Sequence, residues 1–406
     1  MASGGLTVRS AWRTAAAVVA LIVAIGLAGC SPTADVTVDE LSAVVVRDGV
    51  AFEGAVIPAE VLARLAENRV VLLGETHHLR EHWAFVAALM NDLHDDGFRQ
   101  LLIEAPQMVG WLLDDYVQGG VFVAGWEPPP FYERRFSAIR SYNETLAPDE
   151  RIHIRGIDVN EEWYGGAGSF QSLLGYLVEH LPTPGPVDVS LGGDYAGAPP
   201  KAQTETIEEL LASLEADRST LVESWGADWY DQVVEMAEVE LASIDVRAKD
   251  GDAASKAREE IIKQLADQRV AECSCGTVIN IGGHHAQKAH LMGTDQEWMG
   301  DYLAHESTVV EGSIIVVELS SAQTLLEPGA GGTPWDILAS ASPDNEINRI
   351  MAETWPGQTV FLPLDDPIFS DRRVAFNSED IIYATSLNEQ YDAIIQYGLA
   401  HRMPED

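Results

Sequence analysis

The chain has 406 residues, with 64 acidic against 25 basic side chains and a formal net charge of −39. A nucleic-acid partner needs the opposite sign, so that function class is excluded. Apolar residues make up 46% of the chain, enough for a sizeable core, and the length allows one large α/β domain or a core with an inserted subdomain. The acidic residues are dispersed, which reads as a heavily solvated surface and not as an acidic binding site.

Arg9 and Arg13 precede an apolar run over residues 15–28, broken only by Gly26, and Leu27-Ala28-Gly29-Cys30 follows. A charged start, a short apolar stretch and small residues before a cysteine describe a lipoprotein signal. Residues 1–29 are therefore expected to be removed, and Cys30 to carry the lipid that holds the protein on the outer, extracytoplasmic face of the cell membrane. Residues 31–38 read as a tether within an N-terminal segment 30–56. No later run is long enough to span a bilayer. Cys273 and Cys275 remain open between a strained disulfide, two thiols and half a metal site, and are assigned no function.

From residue 69 to 318 one theme repeats: a short β-branched apolar run, a polar turn, then a helical stretch. The runs are 70–73, 101–103, 152–157, 277–281 and 314–317. Helices are expected over 81–94, 108–117 and about 131–146; the first places Trp83, Val86, Ala87, Met90 and Leu93 on one face. The fold class that follows is α/β, a largely parallel sheet with helices on both faces and an inserted helical subdomain. Residues 358–362 with 380–383 could add an antiparallel edge. The insertion covers 204–271. Ile207, Leu210, Leu211 and Leu214 form one apolar stripe, Val233, Met236, Leu241 and Ile244 another, with a turn at 249–254 and a Pro/Gly-rich loop, 182–200, leading in. The core is thus divided into 57–203 and 272–406.

Chemistry in such a sheet gathers beyond the carboxyl ends of the strands. The first run ends in Gly74-Glu75-Thr76-His77-His78, the second at Glu104, the third at Asp158, the fourth in Gly282-Gly283-His284-His285 and the fifth at Glu318. Five runs delivering acids or histidines to one edge point to a site there. Carboxylates with imidazoles can hold a His as a base for water, or bind a divalent metal that lowers the pKa of water. No Gly-x-Ser-x-Gly elbow is present, which argues against a serine nucleophile. Gly282-Gly283 lacks the spacing of a dinucleotide fingerprint, and the pair is read as allowing the turn or the approach of a ligand.

These residues resemble the erythromycin esterase family. The resemblance rests on Gly74-Glu75-Thr76-His77-His78 with Glu81 and Glu104, on Phe136-Ser137-Ala138-Ile139-Arg140-Ser141-Tyr142-Asn143 leading to Ile154-Arg155-Gly156-Ile157-Asp158, on Arg258, and on the His pair after the fourth run. It extends from about Ala59 to Tyr391-Asp392-Ala393-Ile394-Ile395. It implies a hydrolase of a small-molecule ester or lactone that needs no cofactor, with a His as base for water. Glu75, His77 or His78, Glu104, and His284 or His285 become the working groups. Glu81, Arg140, Asp158 and Arg258 are assigned to substrate binding. The family pattern Gly-Glu-x-x-His-Gly puts the base on His78, held by Glu75 and facing His285. Here no Gly follows, Glu81 falls one residue early, and Gly282-Gly283-His284-His285 replaces His-Asn-x-His. Those departures resemble the wider Tiki-like superfamily, whose Gly-Glu-x-His start matches His77. That superfamily includes ChaN-like haem-binding lipoproteins and metal-dependent proteases. The alternatives are therefore a haem- or metal-binding surface lipoprotein, or a divalent-metal hydrolase using Glu75, His77 and His285.

Overall fold

The computed structural model describes residues 36–120, 130–160, 170–181, 191, 195–289, 296–327, 346–370, 373–378 and 381–403. Cys30, the signal segment and most of the 182–200 loop lie outside these residues. The described strands are β1 (Val50–Phe52), β2 (Val70–Glu75), β3 (Phe98–Pro106), β4 (His153–Asp158), β5 (Gly276–Gly282), β6 (Ile314–Ser321), β7 (Thr324–Leu326), β8 (Thr359–Pro363), β9 (Arg373–Ser378), β10 (Ile381–Ser386), β11 (Ala393–Tyr397) and β12 (Ala400–Arg402).

Eight of them form one sheet in the order β1-β8-β11-β6-β2-β5-β3-β4. The strands from β11 to β4 are parallel, while β8 runs antiparallel to β11 and β1 antiparallel to β8. Strand β2 is buried along its whole length, which is why Val70-Val71-Leu72-Leu73 does not alternate with polar residues: both faces are covered. Helices Arg80–Asp92, Gln107–Val117 and Pro130–Asn143 cross over from β2 to β3 and from β3 to β4. Their apolar sides, with Val71, Leu73, Leu101 and Ile103, make the core of one face. Leu72, Leu102, Ile279, Val316 and Ile394 meet helices Val38–Asp48, Gly251–Glu272 and Met299–His305 on the other. A fully buried side chain of this size contributes about 1.5–3 kcal/mol. The closest helix–sheet contact relies on glycine. A Cβ on Gly110 would stand 1.8 Å from the Gly156 amide nitrogen, so Gln107–Val117 lies directly on β4.

The expected edge is half right. Residues 358–362 do pair antiparallel, as β8, but β10 joins β9 in a separate two-stranded sheet. The other antiparallel strand is β1, from the segment assigned to the N-terminal region. Just before it, Thr37 caps helix Val38–Asp48 through a reciprocal bond with Glu40, and Leu41 and Val45 are fully buried. The packed fold therefore includes residues before Ile57. In the insertion, Ile207, Leu210, Leu214, Val233, Met236 and Ile244 are buried as the stripes require. The last helix, Gly251–Glu272, packs Ile262, Leu265 and Ala266 into the sheet's second face, so it serves as the crossover between β4 and β5. Cys273 and Cys275 are disulfide-bonded where that helix enters β5, at the end of the strand away from His285.

Candidate active site

The chain reverses direction across the sheet after β4: β5 is inserted between β2 and β3, and β6 goes to the far side of β2. That switch opens a crevice at the strand ends and sets the ends of β2, β5 and β3 side by side. Glu75 closes β2, buried, with Oε2 accepting from Asn280 Nδ2 at 2.6 Å and Oε1 accepting from His77 Nδ1 at 3.1 Å. His77 stands half exposed in the crevice, its Nε2 3.6 Å from Glu104 Oε2. Glu104 takes the Gly282 amide on Oε2 at 2.7 Å and Arg258 Nη2 on Oε1, also at 2.7 Å. Arg258 also donates from Nε to Asp158 Oδ1 at 2.9 Å and from Nη2 to Oδ2 at 2.5 Å. His285 completes the ring, with Nε2 3.4 Å from Glu104 Oε1 and Nδ1 2.5 Å from Glu259 Oε2. Glu259 in turn accepts the Met299 amide at 2.6 Å. Glycine at 282 leaves room for these side chains, since a Cβ would sit 2.9 Å from His77 Nε2 and 3.1 Å from Glu104 Oε2 and would displace them.

The electrostatics separate the three histidines. Burial alone would pull His285 down, but Glu104 and Glu259 on its two nitrogens push it up to about 10, so it is an imidazolium at neutral pH. Burial likewise opposes the charge on His77, and Glu75 with Glu104 raises it above 6.5. His284 is lowered by burial and by the two charged imidazoles nearby, and it stacks on Trp298 with ring centroids 5.9 Å apart. Burial would raise Glu104 and Glu75, but their histidine partners hold both below the usual carboxylate range, with Arg258 adding to the effect on Glu104.

The structure brings together Glu75, His77, Glu104, His285, Arg258 and Asp158. His77 holds contacts to Glu75 and Glu104, whereas the expectation placed the base on His78. His78 has a left-handed backbone, φ 64°, and its carbonyl accepts the Met403 amide at 2.8 Å. Two further assignments are corrected. Glu81 is bound by the His401 amide at 2.6 Å and His401 Nδ1 at 2.8 Å, tying β12 to the helix Arg80–Asp92. Arg140 donates to the carbonyls of Tyr116 and Gly120 and closes the end of Gln107–Val117. Glu318 stays outside the ring of contacts. Glu259, Asn280, Trp298 and Arg135 were not anticipated. Arg135 lies over the Trp83 ring at 4.3 Å and its charge helps to lower Glu75. Asn280 had a signal, being a single polar residue inside an apolar strand, and Glu259 stands next to Arg258. Among the described residues, no group of three or more His, Cys, Asp or Glu side chains is placed to hold a metal ion.

Two groups behind this edge, the fully buried His82 and the partly buried Glu318, give opposite pH dependences of stability. Burial pushes His82, fully enclosed against Tyr397, down to about 4, so its contribution is lost as pH falls through 6.5 toward 4. Burial pushes Glu318 up to about 7, so stability is lost as pH rises from 4.5 through 7. Each effect is about 3 kcal/mol, and in the wild type they largely offset each other. In urea denaturation, His82→Phe is expected to gain stability over wild type at pH 4 relative to pH 7. Glu318→Gln is expected to gain at pH 8 but not at pH 4.5. Parallel curves for all three proteins would contradict both assignments.

No protein-family profile matches the chain, and no curated protein matches it. Solved structures do. A Bacillus cereus protein superposes with a TM-score of 0.65 at 15% identity, over 90% of this chain and 98% of its own. A succinoglycan biosynthesis protein gives 0.63 at 14% identity, over 92% and 99%. An erythromycin esterase mutant, in its open conformation, gives 0.53 at 15% identity, over 85% and 94%. The chain shares its fold with these proteins. At such identities the likeness speaks for the fold alone.

Proposed function

We propose that this protein hydrolyses an ester or lactone by activating water on His77. The observation that carries the reading is the Glu75–His77–Glu104–His285 arrangement. Glu75 accepts the Nδ1 proton of His77 and fixes the tautomer, leaving Nε2, 3.6 Å from Glu104 Oε2, to take a proton from water. A water bound there gives its proton to Nε2 as its oxygen attacks the carbonyl carbon. His285, kept protonated by Glu104 and Glu259, stabilises the oxyanion and then protonates the leaving alkoxide. Arg258 pairs with both Glu104 and Asp158, and with the His285 imidazolium it offsets the two carboxylates beside the crevice. The fold shared with an erythromycin esterase supports the reaction class.

This division of roles requires His77 neutral and His285 charged. Turnover is expected to rise with pH through a value above 6.5 and to fall again near 10. A profile flat from pH 6 to 9 would contradict it. The protein is further proposed to act outside the cytoplasm, held by lipid on Cys30, as the lipobox at residues 27–30 supports. Among the described residues no helix is long and apolar enough to cross a membrane. Cys30→Ala is expected to move the protein from the membrane fraction to the soluble one. Retention in washed membranes would sink the anchor.

A further inference from the structure

The carboxylates at this edge of the sheet are supplied with donors from within the protein. Glu75 has His77 and Asn280, Glu104 has Arg258 and the Gly282 amide, and Glu259 has His285 and the Met299 amide. Asp392, just before β11, has Lys288 at 2.5 Å and the Val316 amide at 2.8 Å. Glu318 is the exception among the described residues: its Oε2 is out of water and has no hydrogen-bond partner. A carboxylate held this way destabilises the fold, and a ligand that supplies the missing donors would account for its presence.

Its surroundings define what such a ligand would be. Glu318 lies in register beside Gly74 of β2 and Ile394 of β11, on the sheet face covered by Gly283 and Ala286. A Cβ on Gly74 would meet the Gly283 Cα at 3.2 Å, so the turn that carries His284 and His285 passes directly over this place. Tyr391, wholly buried, points its hydroxyl at the Gly283 carbonyl, 3.4 Å away, and feels both the charge of Glu318 and the side chain of Gln287. The local set holds a carboxylate, a backbone carbonyl, a phenol that donates to that carbonyl, and the Gln287 amide, whose oxygen and nitrogen both lack a partner. An ammonium group carries three donors and the one charge that the set lacks. The net charge of −39 concentrates cations around the protein as a whole.

We propose that Glu318, with Tyr391 and Gln287, forms a subsite for the protonated amine of a ligand, beneath the turn that carries His284 and His285. It adds a recognition element beside the proposed hydrolytic site and is tested by binding alone, so its failure and that of hydrolysis are read separately. Since burial holds the Glu318 carboxyl up at about 7, amine binding at pH 6 drives its proton off.

The test is calorimetric titration of hexylammonium and of 1-hexanol into the full chain and into Glu318→Gln, at pH 6, in two buffers of different ionisation enthalpy. Near-ultraviolet circular dichroism checks that the variant is folded. The expected result is saturable hexylammonium binding with proton release, weakened tenfold or more in Glu318→Gln, and no difference between the proteins for 1-hexanol. Equal hexylammonium affinity in both proteins overturns the subsite, as does the absence of saturable binding to the wild type. Hexanol binding as tight as hexylammonium would show a site for a hydroxyl and would also overturn it.

Discussion

His77→Ala is expected to lower ester turnover by about a hundredfold to ten-thousandfold, the usual loss when a general base is removed. His78→Ala is expected to leave most of the rate. His77 joins Glu75, at 3.1 Å, to the Glu104–His285 side of the crevice. His77→Asn separates base from scaffold, because an amide can still donate to Glu75 yet cannot take a proton from water. It should lose as much rate as the alanine variant while unfolding at the same denaturant concentration. A larger loss from His78→Ala than from His77→Ala would return the base to the Gly-Glu-x-x-His register.

Glu104→Gln is expected to be the second most damaging change. One carboxylate here serves Arg258, the Gly282 amide and the imidazoles of His77 and His285. An uncharged amide cannot accept from all of them, and its own N–H groups would face the charged Arg258 and His285. The His285 pKa should fall well below 10, and turnover should drop at least about a hundredfold as the imidazolium is lost at working pH. The histidine titration, followed by NMR, distinguishes this from a merely structural effect. An unchanged His285 titration with reduced turnover would mean that Glu104 acts only as scaffolding. Glu259→Gln should lower the same pKa without touching His77.

Much of the sheet was legible because a strand buried on both faces has to be apolar throughout. The runs at 70–73, 101–103, 277–281 and 314–317 lie within parallel strands of the sheet, as does 152–157 apart from its first residue. Strand β11, Ala393–Tyr397, is equally apolar, but no helical stretch follows it, so the β-turn-helix pattern did not reveal it. Strand β1 has three residues and gives no periodicity, and its place depends on pairing with β8, some three hundred positions away. The site was legible at the level of strand ends, where Glu75, Glu104, Asp158 and His285 meet as their positions imply. The order of His77 and His78 was not. It depends on the left-handed turn at His78, which spacing alone does not specify. Glu259 was hidden for a similar reason: it lies in an acidic, solvated-looking helix, and only the crossover packing of that helix buries it against His285. Glu81 and Arg140 were assigned to the site by the family resemblance. Each instead satisfies backbone groups at the end of an element, as buried polar backbone requires.

The most direct measurement of the central claim is turnover of a panel of carboxylic esters and lactones by the soluble chain beginning after Cys30. Wild type and His77→Ala are assayed side by side, each with and without a strong chelator. The expected result is hydrolysis of at least one panel member by the wild type, unchanged by chelation and lost in His77→Ala. No hydrolysis of any member, or hydrolysis abolished by the chelator and indifferent to His77, would contradict water activation by this histidine.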